Sequence, residues 1–157
     1  MKVVIQRVSE ANIRVDNTQI CAIKQGMVVL LGIAQTDTTQ EAEYLAKKVV
    51  NSRIFSDKED KMNESVLDQK GEILIVSNFT LIADCKSGNR PSYSHSAKPE
   101  QARILYEYFI SCIKNSSSSK VEVGQFGADM KVSLVNDGPV TIVMDTQEIF
   151  TKKGESL

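Results

Sequence analysis

A single histidine, His95, is available for any imidazole chemistry in this 157-residue chain. The three cysteines, Cys21, Cys85 and Cys112, stand far apart in no metal-ligand spacing, and an odd number cannot all pair. A zinc cage and a disulfide framework are both excluded, and a reduced, cytoplasmic protein with no metal and no cofactor is expected. No apolar run approaches the ~20 residues that a membrane-spanning helix needs. Gln6 and Arg7 interrupt the first apolar run too early for a signal-peptide core, so no membrane association is expected. A net charge of −1 lacks the cationic excess that broad, non-specific nucleic-acid binding draws on. No Gly-x-Ser-x-Gly elbow, Walker loop or Gly-x-Gly-x-x-Gly fingerprint is present. His95 lies between serines in a polar loop and reads as a surface residue. A conventional triad or a metal hydrolase is not expected.

What is present is an ordinary globular composition, 41% hydrophobic and 25% charged, in a chain long enough for one domain with a sizeable core. Residues 3–8 read as a strand, 12–15 and 19–23 as a hairpin around Asp16-Asn17-Thr18, and 27–33 as a buried strand. Thr38-x-x-Glu41 has the form of a capping box, followed by a helix whose apolar face is Ala42, Leu45, Ala46, Val49 and Val50. Residues 53–68 read as a loop with short strands. Residues 72–83 contain a strand apolar on both faces, hence central in its sheet. Residues 84–98 form a long polar loop carrying Lys86, Arg90 and Lys98, and loops of that length are often functional. Pro99 opens a second helix with Ala102, Leu105, Tyr106, Phe109 and Ile113 on its buried stripe. Residues 121–123, 130–135 and 140–145 read as closing strands. The fold class expected is α+β: mainly antiparallel sheets forming a partial barrel, two helices packed on it, a single domain over 1–145 and a polar tail over 146–157.

Two polar interruptions stand out. Ser77-Asn78-Phe79-Thr80-Leu81 breaks into a run that otherwise reads as buried strand, and strand alternation would place Asn78 and Thr80 on one face. Polar groups there need partners. Asn136-Asp137-Gly138-Pro139-Val140-Thr141 reads locally as a turn between two strands. Only about 5–6% of X-Pro bonds in folded proteins are cis, so local rules alone make it a trans turn.

Taken with Val4-Ile5-Gln6-Arg7-Val8, Arg53-Ile54-Phe55-Ser56-Asp57, Lys61-Met62-Asn63, Gly88-Asn89-Arg90-Pro91-Ser92 and Gly124-Gln125-Phe126-Gly127-Ala128-Asp129-Met130, these segments resemble the D-aminoacyl-tRNA deacylase family over nearly the whole chain. The order and spacing carry the resemblance. One position departs: the family's mid-chain motif usually reads Ser-Gln-Phe-Thr-Leu, and Asn78 replaces the glutamine with an amide one methylene shorter.

The resemblance implies a hydrolase that cleaves the ester between a D-amino acid and the terminal ribose of tRNA, with glycyl-tRNA as a possible leak. It implies a homodimer with the active site at the interface, a cis Gly138-Pro139 whose carbonyls enter the partner's pocket, and Arg7 bracing that segment. Phe126, Met130 and Ala102 match positions around the terminal adenine of the tRNA. Ser77, Asn78, Phe79 and Thr80 match the catalytic segment, with backbone N–H groups near Phe79 and Thr80 as an oxyanion hole or the Thr80 hydroxyl as nucleophile. The alternatives are a non-catalytic nucleic-acid-binding protein, as some animal relatives have been linked to replication-origin DNA, and a related deacylase for mischarged L- or achiral aminoacyl-tRNA.

Overall fold

The computed structural model describes residues 1–154. Its organising strand is β1 (Lys2–Val15), which runs through the stretch that the sequence divides into two strands. Its first half pairs antiparallel with β3 (Gly26–Gly32), and its second half pairs with β2 (Thr18–Ile23). Along its other edge lies β8 (Lys131–Asp145), antiparallel over almost the full length. The register slips between Gln6 and Val8 and again between Val8 and Glu10. Such bulges bend a strand and change which side chains face the core. Val3 and Ile5 accordingly pack with the helices, while Val8, Ala11 and Ile13 pack in a separate apolar cluster.

The sheet is mixed rather than mainly antiparallel. β6 (Glu72–Ser77) pairs parallel with β3, and β7 (Val121–Val123) pairs parallel with β6, giving the order β2-β1-β3-β6-β7 with β8 added on β1. Parallel neighbours need a crossover, and here each crossover contains a helix. The chain passes from β3 through α1 (Thr39–Asn51) and the small hairpin β4 (Phe55–Ser56) and β5 (Met62–Glu64) to β6. It then passes through α2 (Pro99–Ser116) to β7. The sheet curls until its far strands meet: Lys120 Nζ donates to Ala22 O (3.1 Å) and Cys21 Sγ to Val123 O (3.6 Å).

Strand alternation on β3 and β6 feeds two cores. Met27, Val29, Leu31, Ile73 and Ile75 pack with Leu45, Val49, Phe109 and Ile113 of the helices. Val28, Leu74 and Val76 pack inside the curl with Ile13 and Ile23. α1 starts as its sequence prescribes: Thr38 Oγ1 accepts from Gln40 N, and the Glu41 carboxylate accepts from Thr38 N at 2.8 Å.

The expected polar tail is not one from its start. Residues Thr146–Gly154 form α3, and Phe150 lies edge-on to Tyr44 of α1 at 5.2 Å between ring centroids. The physical reason lies at its first residue. Thr146 is buried, its N–H donates to Met1 O (2.9 Å), and its Oγ1 accepts from the Met1 ammonium (2.7 Å). The same ammonium donates to Asp37 Oδ1 (2.5 Å), while Asp37 Oδ2 accepts from Ala34 N (2.6 Å). Residues 155–157 of the expected tail lie outside the described residues.

Removing one partner of a buried ion pair leaves the other uncompensated. Asp37→Ala is therefore expected to cost about 3–5 kcal/mol, read as a lowered midpoint in urea denaturation. A change below about 1 kcal/mol would show that the buried pair contributes little.

Candidate active site

β6 is buried on both faces and ends at Ser77. Asn78 N makes the last bond to β3, donating to Leu31 O at 2.8 Å, and the backbone then leaves the sheet. Residues Phe79–Ile82 form a 3-10 turn, closed outside the turn by Leu81 N to Asn78 O (3.3 Å) and Ala83 N to Thr80 O (3.2 Å). The alternation expected for Asn78 and Thr80 therefore fails, because the strand stops before them. Apolar Phe79, Leu81 and Ile82 resemble strand residues in sequence, but the turn crosses β3 at Gly32. A Cβ at Gly32 would lie 2.8 Å from Leu81 Cβ and 3.1 Å from Asn78 O.

The turn settles the position of Asn78. Its side-chain carbonyl accepts the Thr80 hydroxyl at 2.5 Å, so the short amide is used locally. Among the described residues, the N–H groups of Phe79 and Thr80 make no hydrogen bond, as befits the first donors of a helical turn. The Phe79 carbonyl is held by Ser96 Oγ at 3.2 Å. Ser96 belongs to a strap at the end of the 84–98 loop, tied to the exit of β3 by Gln35 N to His95 O (3.0 Å) and Ala97 N to Ile33 O (2.9 Å).

Strap, turn and α2 enclose a cleft of about 750 Å³. Ser77, Asn78 and Phe79 line it from β6 and its exit, Ala102 from α2, and Phe126 and Met130 from the segment after β7. Thr80 is joined to this group by its bond to Asn78 but does not line the cleft. Phe126 meets Tyr106 at 5.6 Å between ring centroids, and the Arg103 guanidinium carbon lies 4.9 Å from its centroid. The Tyr106 hydroxyl donates to the carbonyls of Ile75 (3.2 Å) and Gly124 (3.4 Å), and burial pushes its pKa well up, so it stays a neutral phenol. The cleft's charged lining residues are Lys98 and Asp129, and Asp129 is paired with Lys131 at 3.0 Å. His95 is outside the lining and 70% exposed, with Nε2 3.9 Å from Asp84 Oδ2. Among the described residues no cluster of His, Cys, Asp and Glu could hold a metal ion.

Arg7, Gly138 and Pro139 form a second constellation, away from that lining. The Asn-Asp-Gly-Pro stretch does not separate two strands. It is a bulge inside β8, with Asn136 opposite Val8 and Thr141 opposite Gln6. Asn136 closes the bulge: its Nδ2 donates to Gln6 Oε1 (2.5 Å) and Thr141 Oγ1 (3.1 Å), and its Oδ1 accepts from Val140 N (3.1 Å). Opposite the bulge, Arg7 donates from Nε to Asp137 O (3.1 Å) and from Nη1 to Ile54 O (2.8 Å). One guanidinium thus joins three segments whose motifs are distant in sequence. The Gly138-Pro139 bond is cis, Gly138 has φ +130°, and a Cβ there would sit 2.8 Å from Val140 Cγ2 and 3.1 Å from Arg7 Nη2. Gly138 and Pro139 are both exposed.

Gly32, Ser96, Tyr93 and Arg103 are site features that sequence reading missed. Gly32 had a signal, as a glycine at the end of an apolar strand that another backbone approaches. The other three become neighbours of the cleft only through the tertiary fold.

The family model described as D-Tyr-tRNA(Tyr) deacylase matches residues 4–145. A D-aminoacyl-tRNA deacylase of Thermosipho melanesiensis is 55% identical over 150 residues, covering 96% of this chain and 100% of the relative. The solved structure of a c-Myc DNA Unwinding Element Binding Protein superposes with a TM-score of 0.89 at 41% identity, covering 92% of this chain and 98% of that one. The solved structure of a probable eukaryotic D-amino acid tRNA deacylase shares the fold with a TM-score of 0.78 at 16% identity over the same shares of each chain.

The contact at Gly32 gives a test of the site's construction. Gly32→Ala is expected to destabilise the protein by about 1–3 kcal/mol in chemical denaturation and to shift the amide resonances of residues 78–82. Wild-type stability with unmoved resonances would show that the turn does not depend on this close approach.

Proposed function

The chain belongs to the D-Tyr-tRNA(Tyr) deacylase family, and from that premise we propose how its two constellations divide the work. The activity is hydrolysis of the ester in D-aminoacyl-tRNA, which releases the free D-amino acid and tRNA.

The terminal adenosine of the tRNA occupies the cleft, with its base near Phe126 and Met130 and with Ala102 leaving room beside it. An aromatic face and a thioether suit a base. The ester carbonyl lies at the exit of β6. Water attacks it, and the negative charge that develops on the carbonyl oxygen is held by the N–H groups of Phe79 and Thr80. The observation that carries this reading is that these two donors have no hydrogen-bond partner of their own while Asn78, Thr80 and Ser96 fix the backbone around them. A preorganised donor of this kind is worth about 2.7–4 kcal/mol in the transition state.

The cleft offers no evident protein base. The neighbouring ribose hydroxyl of the substrate orients the water, and the ester is already activated by that neighbour. Thr80 as nucleophile is disfavoured by its hydrogen bond. Its hydroxyl proton goes to a neutral amide oxygen, which is too weak a base to activate it. Asn78 in place of glutamine is compatible with this reading, because the amide positions a neighbour instead of reaching for the substrate.

Discrimination between D- and L-esters falls to Gly138 and Pro139 of a second copy in a homodimer. Two backbone carbonyls there accept the substrate's α-ammonium through charge-assisted hydrogen bonds. With ammonium and ester both fixed, an L-side chain would run into that backbone and a D-side chain would not. Rejection by collision is a strong form of specificity and leaves side-chain identity unread. The support is that Gly138 and Pro139 are exposed, braced from behind by Arg7, and outside the lining of their own chain's cleft. The reading places the protein in the cytoplasm, where charged tRNA is met. No described helix is long and apolar enough to cross a membrane. DNA binding, which the name of one structural neighbour carries, is not favoured for this chain, given its net charge of −1.

Ester loss from D-tyrosyl-tRNA and L-tyrosyl-tRNA, followed in parallel, tests the chirality: rapid loss of the D-ester alone is expected, and equal rates would refute the Gly-Pro gate. Thr80→Ala is expected to keep activity within about tenfold of wild type, in keeping with loss of one hydrogen-bonded positioning group. A fall to background in a folded variant would count against a purely backbone oxyanion site. Sedimentation should show an active species of twice the 17.4 kDa chain mass, and an active monomer would contradict the shared site.

A further inference from the structure

Pro99, Ala102, Arg103 and Tyr106 stand at i, i+3, i+4 and i+7 on α2 and so share one face of the helix. Pro99 and Ala102 line the cleft, while Tyr106 and Arg103 both contact the ring of Phe126. Arg103 is exposed and differs from three other arginines of the chain. Arg7, Arg14 and Arg53 donate to backbone carbonyls, whereas Arg103 makes no hydrogen bond and no ion pair among the described residues. Its contact is with the aromatic ring. A guanidinium over a ring is attracted through its face, and its N–H donors remain free for a planar or anionic partner.

Lys98 is a second cation at the cleft. It lines the cleft, precedes Pro99 as the N-cap of α2, and has no ion-pair partner among the described residues. Glu100 in the same turn is not part of the lining, and Asp129, the cleft's carboxylate, is already neutralised by Lys131. The mouth of the cleft is therefore locally positive in a chain whose net charge is −1.

We propose that Arg103, together with Lys98, forms an anion subsite that holds the phosphodiester joining the terminal adenosine to the nucleotide before it. The proposal rests on the reading that the cleft takes the terminal adenosine. It adds a contact that a free nucleoside cannot make. The Arg103 fork takes two phosphate oxygens at fixed geometry, and Lys98 adds a mobile point charge from the cleft lining. The subsite confers preference for the end of an RNA strand over an isolated adenosine ester.

NMR titration of the full chain with adenosine and with cytidylyl-(3′→5′)-adenosine separates the phosphate contact from the base contact. The wild type is expected to bind the dinucleotide more tightly. Arg103→Gln should weaken the dinucleotide about tenfold more than it weakens adenosine, and should reduce the salt slope of dinucleotide binding by about 0.7. Arg103→Lys should restore most of the dinucleotide preference, because the charge remains. Equal weakening of both ligands by Arg103→Gln would mean that Arg103 merely holds Phe126 in place, and no weakening of either would leave it without a part in binding; both results overturn the proposal. Neither ligand carries an aminoacyl ester, so a failure of the deacylase reading would appear separately, as wild-type protein that leaves D-tyrosyl-tRNA intact.

Discussion

The backbone of β6 must leave its sheet at Ser77, and the candidate site depends on how it does so. While it is in the ladder, β6 is bonded on both sides, to β3 and to β7, and its side chains are buried on both faces. Beyond Ser77 the chain can no longer bond in that pattern, and a tight turn over Gly32 is the route open to it. The turn exposes Phe79 and Thr80 with donors that have nothing to bond to. Every other contact nearby restrains this short stretch: the Thr80 hydroxyl on Asn78, the Ser96 hydroxyl on the Phe79 carbonyl, and the strap tied to the exit of β3. A buried sheet thus delivers polar backbone to the surface at a place determined by the fold.

The same economy governs the bulge in β8. Arg7 is not part of the cleft lining, yet it connects β1, the segment leading into β4 and the tip that carries Gly138 and Pro139. The two constellations rest on different strands of one sheet, the bulge on β8 and the turn at the end of β6. On the proposed reading, one holds the base and the reacting carbonyl, and the other inspects stereochemistry in a second copy. Neither task needs a titrating side chain. That agrees with a buried phenol, Tyr106, kept neutral against the cleft residue Phe126, and with a neighbouring histidine that is a surface group.

The helices were legible because their information is local. Thr38 and Glu41 form the capping box that their spacing announces, and the apolar stripes of α1 and α2 are buried as their period requires. Ala102 is the instructive exception: it falls on the stripe and packs against the core, but is only partly buried because it also lines the cleft. The parallel pairing of β3, β6 and β7 was less accessible, although a helix between two strands apolar on both faces is the pattern of a crossover. Asn136–Thr141 misled local rules for a clear reason. Its residues favour chain reversal, but pairing with β1 on both sides of the segment carries the strand straight through. Residues 79–82 misled for the opposite reason, because their apolar side chains continue a strand pattern after the backbone has turned away. The motif resemblance, by contrast, brought together residues that no local rule connects, such as Arg7, Ile54 and Asp137.

The unpartnered donors of Phe79 and Thr80 belong to the main chain, and that has an evolutionary consequence. Almost any residue supplies an N–H, so the chemistry proposed here is encoded in the path of the backbone and not in the identity of its side chains. Sequence at such a position can vary without removing the donor. An alanine scan would pass over these donors without registering them, and only a change that removes the amide hydrogen itself, such as proline or a backbone ester, would reveal them.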